Sequence, residues 1–199
     1  MKNTLVSLIL FFICTGKIEA QEDTSFTNRL NAALIYTEKA DYDRVFDYTY
    51  PKLFTLITRE QMKEAIKSSF DSEEFSISLD SLKILKVYPV FIINGESFTK
   101  VIHTMRMMMK FKEPLDTINT EALNERYEMS KYMEAGFPGA IIRYDRPTDA
   151  VIISTTADMI AIKIKEDNKW YFANYDEENP RMLTLLFDNA VLEKLKTYK

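Results

Sequence analysis

Two periods of apolar residues divide this chain. Phe26, Leu30, Ala33 and Leu34 fall on one side of a helix, because residues three and four apart share a face. Ala40-Asp41 reads as a short break. Tyr42, Val45, Phe46 and Thr49 read as a second short helix that Pro51 interrupts. Thr58 and Gln61 have capping-box spacing, and Met62, Ala65, Ile66 and Phe70 then give a third amphipathic helix. From Phe75 the period falls to two: Phe75, Ile77 and Leu79 alternate with Ser76, Ser78 and Asp80. Leu82 and Ile84 are one residue out of phase, which predicts a bulge near Asp80-Ser81. Asn94-Gly95 signals a hairpin, since both residues tolerate positive φ, and a second long strand is expected over 97–111.

The helical period returns over 119–135. Leu123, Tyr127, Met129 and Met133 are its expected buried positions, and Gly136-Phe137-Pro138-Gly139 its stop. Ile141-Ile142 and Val151-Ile152-Ile153 flank a polar loop at 145–149. Ile160, Ile162 and Ile164 then alternate with Ala161, Lys163 and Lys165. Asp167-Asn168 makes a turn and Trp170-Tyr171-Phe172 opens the last strand. Asn179-Pro180 marks a helix start, with Met182, Leu185, Leu186 and Leu192 as the buried face of a closing helix. Hairpin connections imply antiparallel pairing. The expected class is therefore α+β: a curved antiparallel sheet wrapped around N-terminal helices, the helices grouped against one face, with a C-terminal helix. A bent sheet against helices leaves a hollow, which suits a ligand.

The first twenty residues stand apart. Lys2 precedes the ten-residue apolar run 5–14 (LVSLILFFIC), which as a helix spans about 15 Å, half a bilayer core. That length fits a signal-peptide core, with cleavage expected near Ala20-Gln21. Cys14 as a lipid-attachment site is disfavoured, because Phe12 and Ile13 replace the small residues such a site needs. The expected organisation is a signal peptide at 1–20 and one α+β domain at 21–199, periplasmic or secreted. The whole chain has 26 Lys+Arg and 30 Asp+Glu; the leader carries Lys2, Lys17 and Glu19, so the mature part has 24 and 29, a net of −5. That balance opposes nucleic-acid and anionic-membrane binding. No later run is long enough to span a membrane. Cys14 is the only cysteine, so the mature domain is expected without disulfides or thiolate chemistry.

Residues 38–43 (EKADYD), 51–54 (PKLF) and 58–62 (TREQM), together with 160–172 (IAIKIKEDNKWYF), resemble the nuclear transport factor two-like superfamily. This is the cystatin-like cone shared with ketosteroid isomerase and SnoaL-like cyclases. The resemblance covers most of 25–196 and rests on a pattern of helices and aromatic strand ends. The stretch between Glu113 and Asp149 departs from the simplest members. The resemblance implies a pocket in a cone. It does not imply a reaction, since one fold hosts many functions. Enzymes of this kind place an Asp, His or Tyr in the cone, but no local motif maps those roles onto this chain.

The candidate lining of the hollow is His103, Met105, Met107, Tyr42, Tyr127 and Trp170. Alternation puts Val101, His103, Met105, Met107, Met109 and Phe111 on one face of their strand. His103, the only histidine, could act as a general base, or be a core histidine satisfied by one hydrogen bond. Met105, Met107 and Met109 with His103 offer soft donors for monovalent copper, yet alternate strand positions lie about 6.8 Å apart, so three sulfurs in a row converge poorly. Asp80, Asp145 and Asp149 are weaker acid/base candidates, because loop aspartates usually serve turns. No cofactor is expected. The leading expectation is a non-catalytic domain that binds a small apolar ligand or a protein partner. The alternatives are an isomerase or dehydratase using His103 or an inward Asp, and a pure interaction module, for example a homodimer.

Overall fold

The computed structural model describes residues 24–115, 120–137, 139–177 and 180–198. The expected leader, Cys14 and the Ala20-Gln21 cleavage point lie outside the described residues, as do Pro138 and Asn179. No described helix is long and apolar enough to cross a membrane.

The chain opens with α1 (Thr24–Glu38), whose Leu30 and Leu34 are buried as the spacing predicts. Ala40 turns the chain with φ +52°. The second helix is shorter than expected: α2 (Tyr42–Val45) is one turn, capped by Asp41. Thr49 then forms a parallel bridge with Phe172. Pro51 does not simply interrupt; it starts a 3-10 turn, Pro51–Thr55, as fits a residue with fixed φ and no N–H. The Thr58–Gln61 capping box is complete at the start of α3 (Arg59–Phe70). No residue of α3 is fully buried, and its apolar members Met62, Ile66 and Phe70 are only half-covered.

Three strands form one long hairpin. β1 (Phe75–Val87) and β2 (Phe91–Ile93) lie end to end along β3 (Glu96–Phe111), which turns back at Asn94-Gly95 with φ +54° and +85°. The predicted bulge is present between Leu79 and Ser81, and a second follows between Ile84 and Lys86. After α4 (Thr120–Gly136) come β4 (Ile141–Asp145), β5 (Ala150–Lys163) and β6 (Trp170–Tyr175). β5 pairs with β3 along almost its whole length. Its other edge is shared: β4 covers 150–154 and β6 covers 158–163. The sheet is thus six-stranded and antiparallel. It is not strongly curled.

The helices occupy both faces, which corrects the expectation of one covered face. On the front face α1 packs Leu30 and Leu34 on Val101, Met159, Ala161 and Trp170. Further along the same face, Met133 of α4 joins Met109, Phe111, Val151 and Ile153. The back face carries Phe98, Ile160, Ile162 and Tyr171, covered by α5 (Pro180–Leu186) and α6 (Asn189–Lys196). The closing segment is two helices rather than one, broken at Phe187-Asp188. Its buried residues are Leu183, Leu186, Val191, Leu192 and Leu195, whereas Met182 and Leu185 face solvent. In α4, Tyr127 and Met129 are likewise exposed and Ser130 is buried. The phase of both helices is set by the strand they meet, and their own apolar spacing does not report it.

Candidate functional site

A cleft lies between α3 and β1. It is an open groove of about 710 Å³, within the range of small-molecule sites. Tyr42, Phe70 and Ile77 give its apolar lining; Glu64, Lys67 and Asp71 give its charges, with Ser68 and Ser76 between them. The groove exists because α3 does not press its apolar stripe fully onto the sheet. Asp71 is held by Lys112 at 2.6 Å. Glu64 and Lys67 make no ion pair among the described residues, so both charges are available to a ligand. Partial burial pushes the Tyr42 hydroxyl pKa upward, which keeps it a neutral donor.

A second, smaller cleft of about 60 Å³ lies under the hairpin tip, lined by Tyr50, Lys52, Glu96 and Phe187. Burial raises the Glu96 carboxyl, and the nearby Glu166 adds to this. Lys52 spends its ammonium on the Leu186 carbonyl at 2.8 Å. This volume admits little more than water.

The six expected lining residues do not converge. Tyr42 lines the groove. Trp170 is buried against Phe26 with ring centroids 4.9 Å apart. Tyr127 is exposed on α4. Met107 packs at the edge of the α4 cluster, and Met105 is half-buried in the seam between the two front-face clusters.

His103 also lies in that seam, between Ile84 of β1 and Ala157 of β5. It is 7% exposed, and its Nδ1 is buried without a hydrogen-bond partner among the described residues. Desolvation lowers its pKa, against a smaller opposing pull from Asp158. Neither cleft is lined by it. A general base must reach the proton it removes, and neither of these two clefts brings one to this ring. Asp80, Asp145 and Asp149 are occupied by Arg106 at 3.3 Å, by Arg143 at 2.8 Å and by the Tyr144 hydroxyl at 2.9 Å respectively.

Sequence reasoning missed the groove's polar members Glu64, Lys67 and Asp71. The signal was present: α3 has only four half-apolar positions in three turns, too few to seal a helix against a sheet. Comparison with known protein families returned no match, and neither did comparison with curated proteins.

Proposed function

We propose that this is an exported, non-catalytic domain that holds a small amphipathic ligand in the groove between α3 and β1. The observation that carries this reading is the half-covered apolar stripe of α3 beside a cleft of about 710 Å³. Tyr42, Phe70 and Ile77 would receive the apolar part of the ligand, and Lys67 or Glu64 its charged end. Export rests on the leader pattern at 1–20. The likeness to the nuclear transport factor two-like cone belongs to this proposal too; its support is the order of N-terminal helices, long hairpin and closing aromatic strand.

The test is native mass spectrometry after incubation with a metabolite mixture, alongside titration with a hydrophobic dye. Ser68→Trp fills the groove from an exposed position and should abolish retention while leaving the fold intact. Retention unchanged in that variant sinks the proposal.

A second reading has its own observation. Leu85 and Val87 of β1, Val90 of the link that follows and Ile92 of β2 are exposed, Ile92 at 70%. Such a row favours a protein partner, a second copy included. The open half of the back face supports pairing less, since it carries Lys83, Thr104, Arg106, Ser154 and Thr156. Sedimentation of the wild type and of Ile92→Lys across a concentration series separates the two readings.

A further inference from the structure

Asn94 is the only asparagine in the chain that is followed by glycine. Ile93 pairs with Glu96, so Asn94 and Gly95 form a two-residue turn outside the ladder. Both are exposed, at φ +54° and +85°. The Asn94 side chain makes a specific contact: its Nδ2 donates to Asp188 Oδ2 at 3.1 Å. Asp188 stands at the N-terminal cap of α6, and its side chain makes no capping bond there. The contact thus fastens the hairpin tip to the start of α6. Its surroundings are acidic. Glu96 lines the same cleft as Asn94 and Asp188. Its carboxyl is held up first by burial and then by Glu166, with Asp188 adding and Lys52 opposing. The neutral Asn94 amide donates into this cluster without adding charge.

We propose that Asn94 is a site of spontaneous deamidation, and that the carboxylate so formed releases the hairpin tip from α6. The Gly95 backbone nitrogen gives its proton to solvent base and attacks Asn94 Cγ. The new N–Cγ bond closes a five-membered succinimide. The Cγ–Nδ2 bond breaks, and ammonia leaves with a proton taken from water. Water then opens the ring. Addition at Cγ breaks the N–Cγ bond and gives aspartate. Addition at the Asn94 backbone carbonyl breaks the peptide C–N bond and gives isoaspartate. Nothing is oxidised or reduced, and water is the only co-reactant. Asparagine is among the thermolabile residues, and this position favours the step. Glycine has no Cβ to shield the attacking nitrogen. That nitrogen is no ladder donor, and the turn is open to water. Either product places a carboxylate where an amide donated to Asp188. A carboxylate cannot donate, and two like charges at that distance repel. Isoaspartate also lengthens the main chain by a carbon, which the geometry of a two-residue turn does not accommodate.

The test ages the purified protein at mildly alkaline pH and maps its peptides by mass spectrometry with fragmentation that separates aspartate from isoaspartate. Asn94 should convert. Asn168, which also has positive φ but is followed by Lys169, should keep its amide. Asn94→Asp, made directly, should lower the urea midpoint and speed amide exchange in β2 and α6 while β5 keeps its protection. Asp188→Asn added to that variant should restore much of the midpoint, because the repulsion is gone. An Asn94 amide that survives in the folded protein under conditions that convert the urea-unfolded chain overturns the modification. An Asn94→Asp variant with wild-type midpoint and exchange overturns the release of the hairpin tip.

Discussion

Glu38 accepts the backbone N–H of Leu82 through Oε1 at 2.6 Å. This ties the last turn of α1 to the first bulge of β1, where the ladder has slipped by one residue. A bulge leaves backbone groups without ladder partners, and a carboxylate is a strong acceptor for one of them. The contact is solvent-exposed, so its worth is modest. Glu38→Ala should cost about 1 kcal/mol and Glu38→Gln about half of that, read from urea midpoints at constant slope. No change in either variant would mean that water serves Leu82 equally well.

Lys100 is the buried charge on the back face. Its Nζ lies 2.7 Å from Asp158, 3.7 Å from Glu177 and 3.3 Å from the Tyr198 carbonyl, with the Tyr175 ring 4.9 Å away. It therefore fastens β3 to β5 and to the end of the chain after α6. Lys100→Met keeps the stem's packing but strands Asp158, which is itself mostly buried. The expected loss is on the order of 3 kcal/mol. Adding Asp158→Asn should recover part of that loss, because the uncompensated carboxylate is gone. A fully additive double mutant would mean that the two groups do not interact.

Stability should fall in strong alkali, and tyrosines are the reason. Tyr50, Tyr144 and Tyr171 are each pushed up to about 12, first by burial. Asp149 and Asp167 then add to the shift by accepting from Tyr144 and Tyr171. A phenol whose folded pKa exceeds its unfolded value of about 10 stabilises the fold fully below pH 10. That contribution drains away as pH rises from 10 through 12. Urea midpoints should thus decline across that window, in step with tyrosinate absorbance near 295 nm. Tyr144→Phe should shallow the decline; an identical slope would show that Tyr144 plays no part.

Strands were more legible than helices in this chain, and the reason is geometric. A strand shows its period locally: Phe75, Ile77 and Leu79 against Ser76, Ser78 and Asp80 announce both the strand and, through Leu82, its bulge. Asn94 and Gly95 declare the hairpin through φ alone. A helix face, in contrast, depends on the neighbour it meets. Met182 and Leu185 look as apolar as Leu183 and Leu186, yet only the latter pair meets Tyr50 and Phe187. Tyr127 and Met129 failed for the same reason. Alternation puts His103 on one face with Val101 and Met109, but its neighbours Ile84 and Ala157 depend on strand pairing, which no local pattern records. The groove left only an indirect trace in the sequence, the sparse apolar stripe of α3, because it arises from what that helix fails to cover.

Arg126 decides whether α4 stays on the sheet. Its guanidinium lies 3.8 Å over the Phe111 ring, donates from Nη2 to the Glu113 carbonyl at 3.1 Å, and holds Nε 3.6 Å from Asp149. Asp149 is fixed in turn by the Tyr144 hydroxyl and adopts φ +47°, a left-handed conformation an aspartate tolerates better than most residues. One flat cation thus joins α4 to β3 and to the turn before β5. Met133 packs on the same cluster, whereas Tyr127, Met129 and Tyr132 face solvent. Arg126→Met should therefore loosen α4 selectively: amide exchange over 120–136 should rise while β3 and β5 keep their protection. Arg126→Lys should rescue little, because an ammonium cannot stack flat on Phe111 while reaching both oxygens. Equal acceleration across the sheet would show instead that α4 is part of the global folding unit and that Arg126 is not its latch.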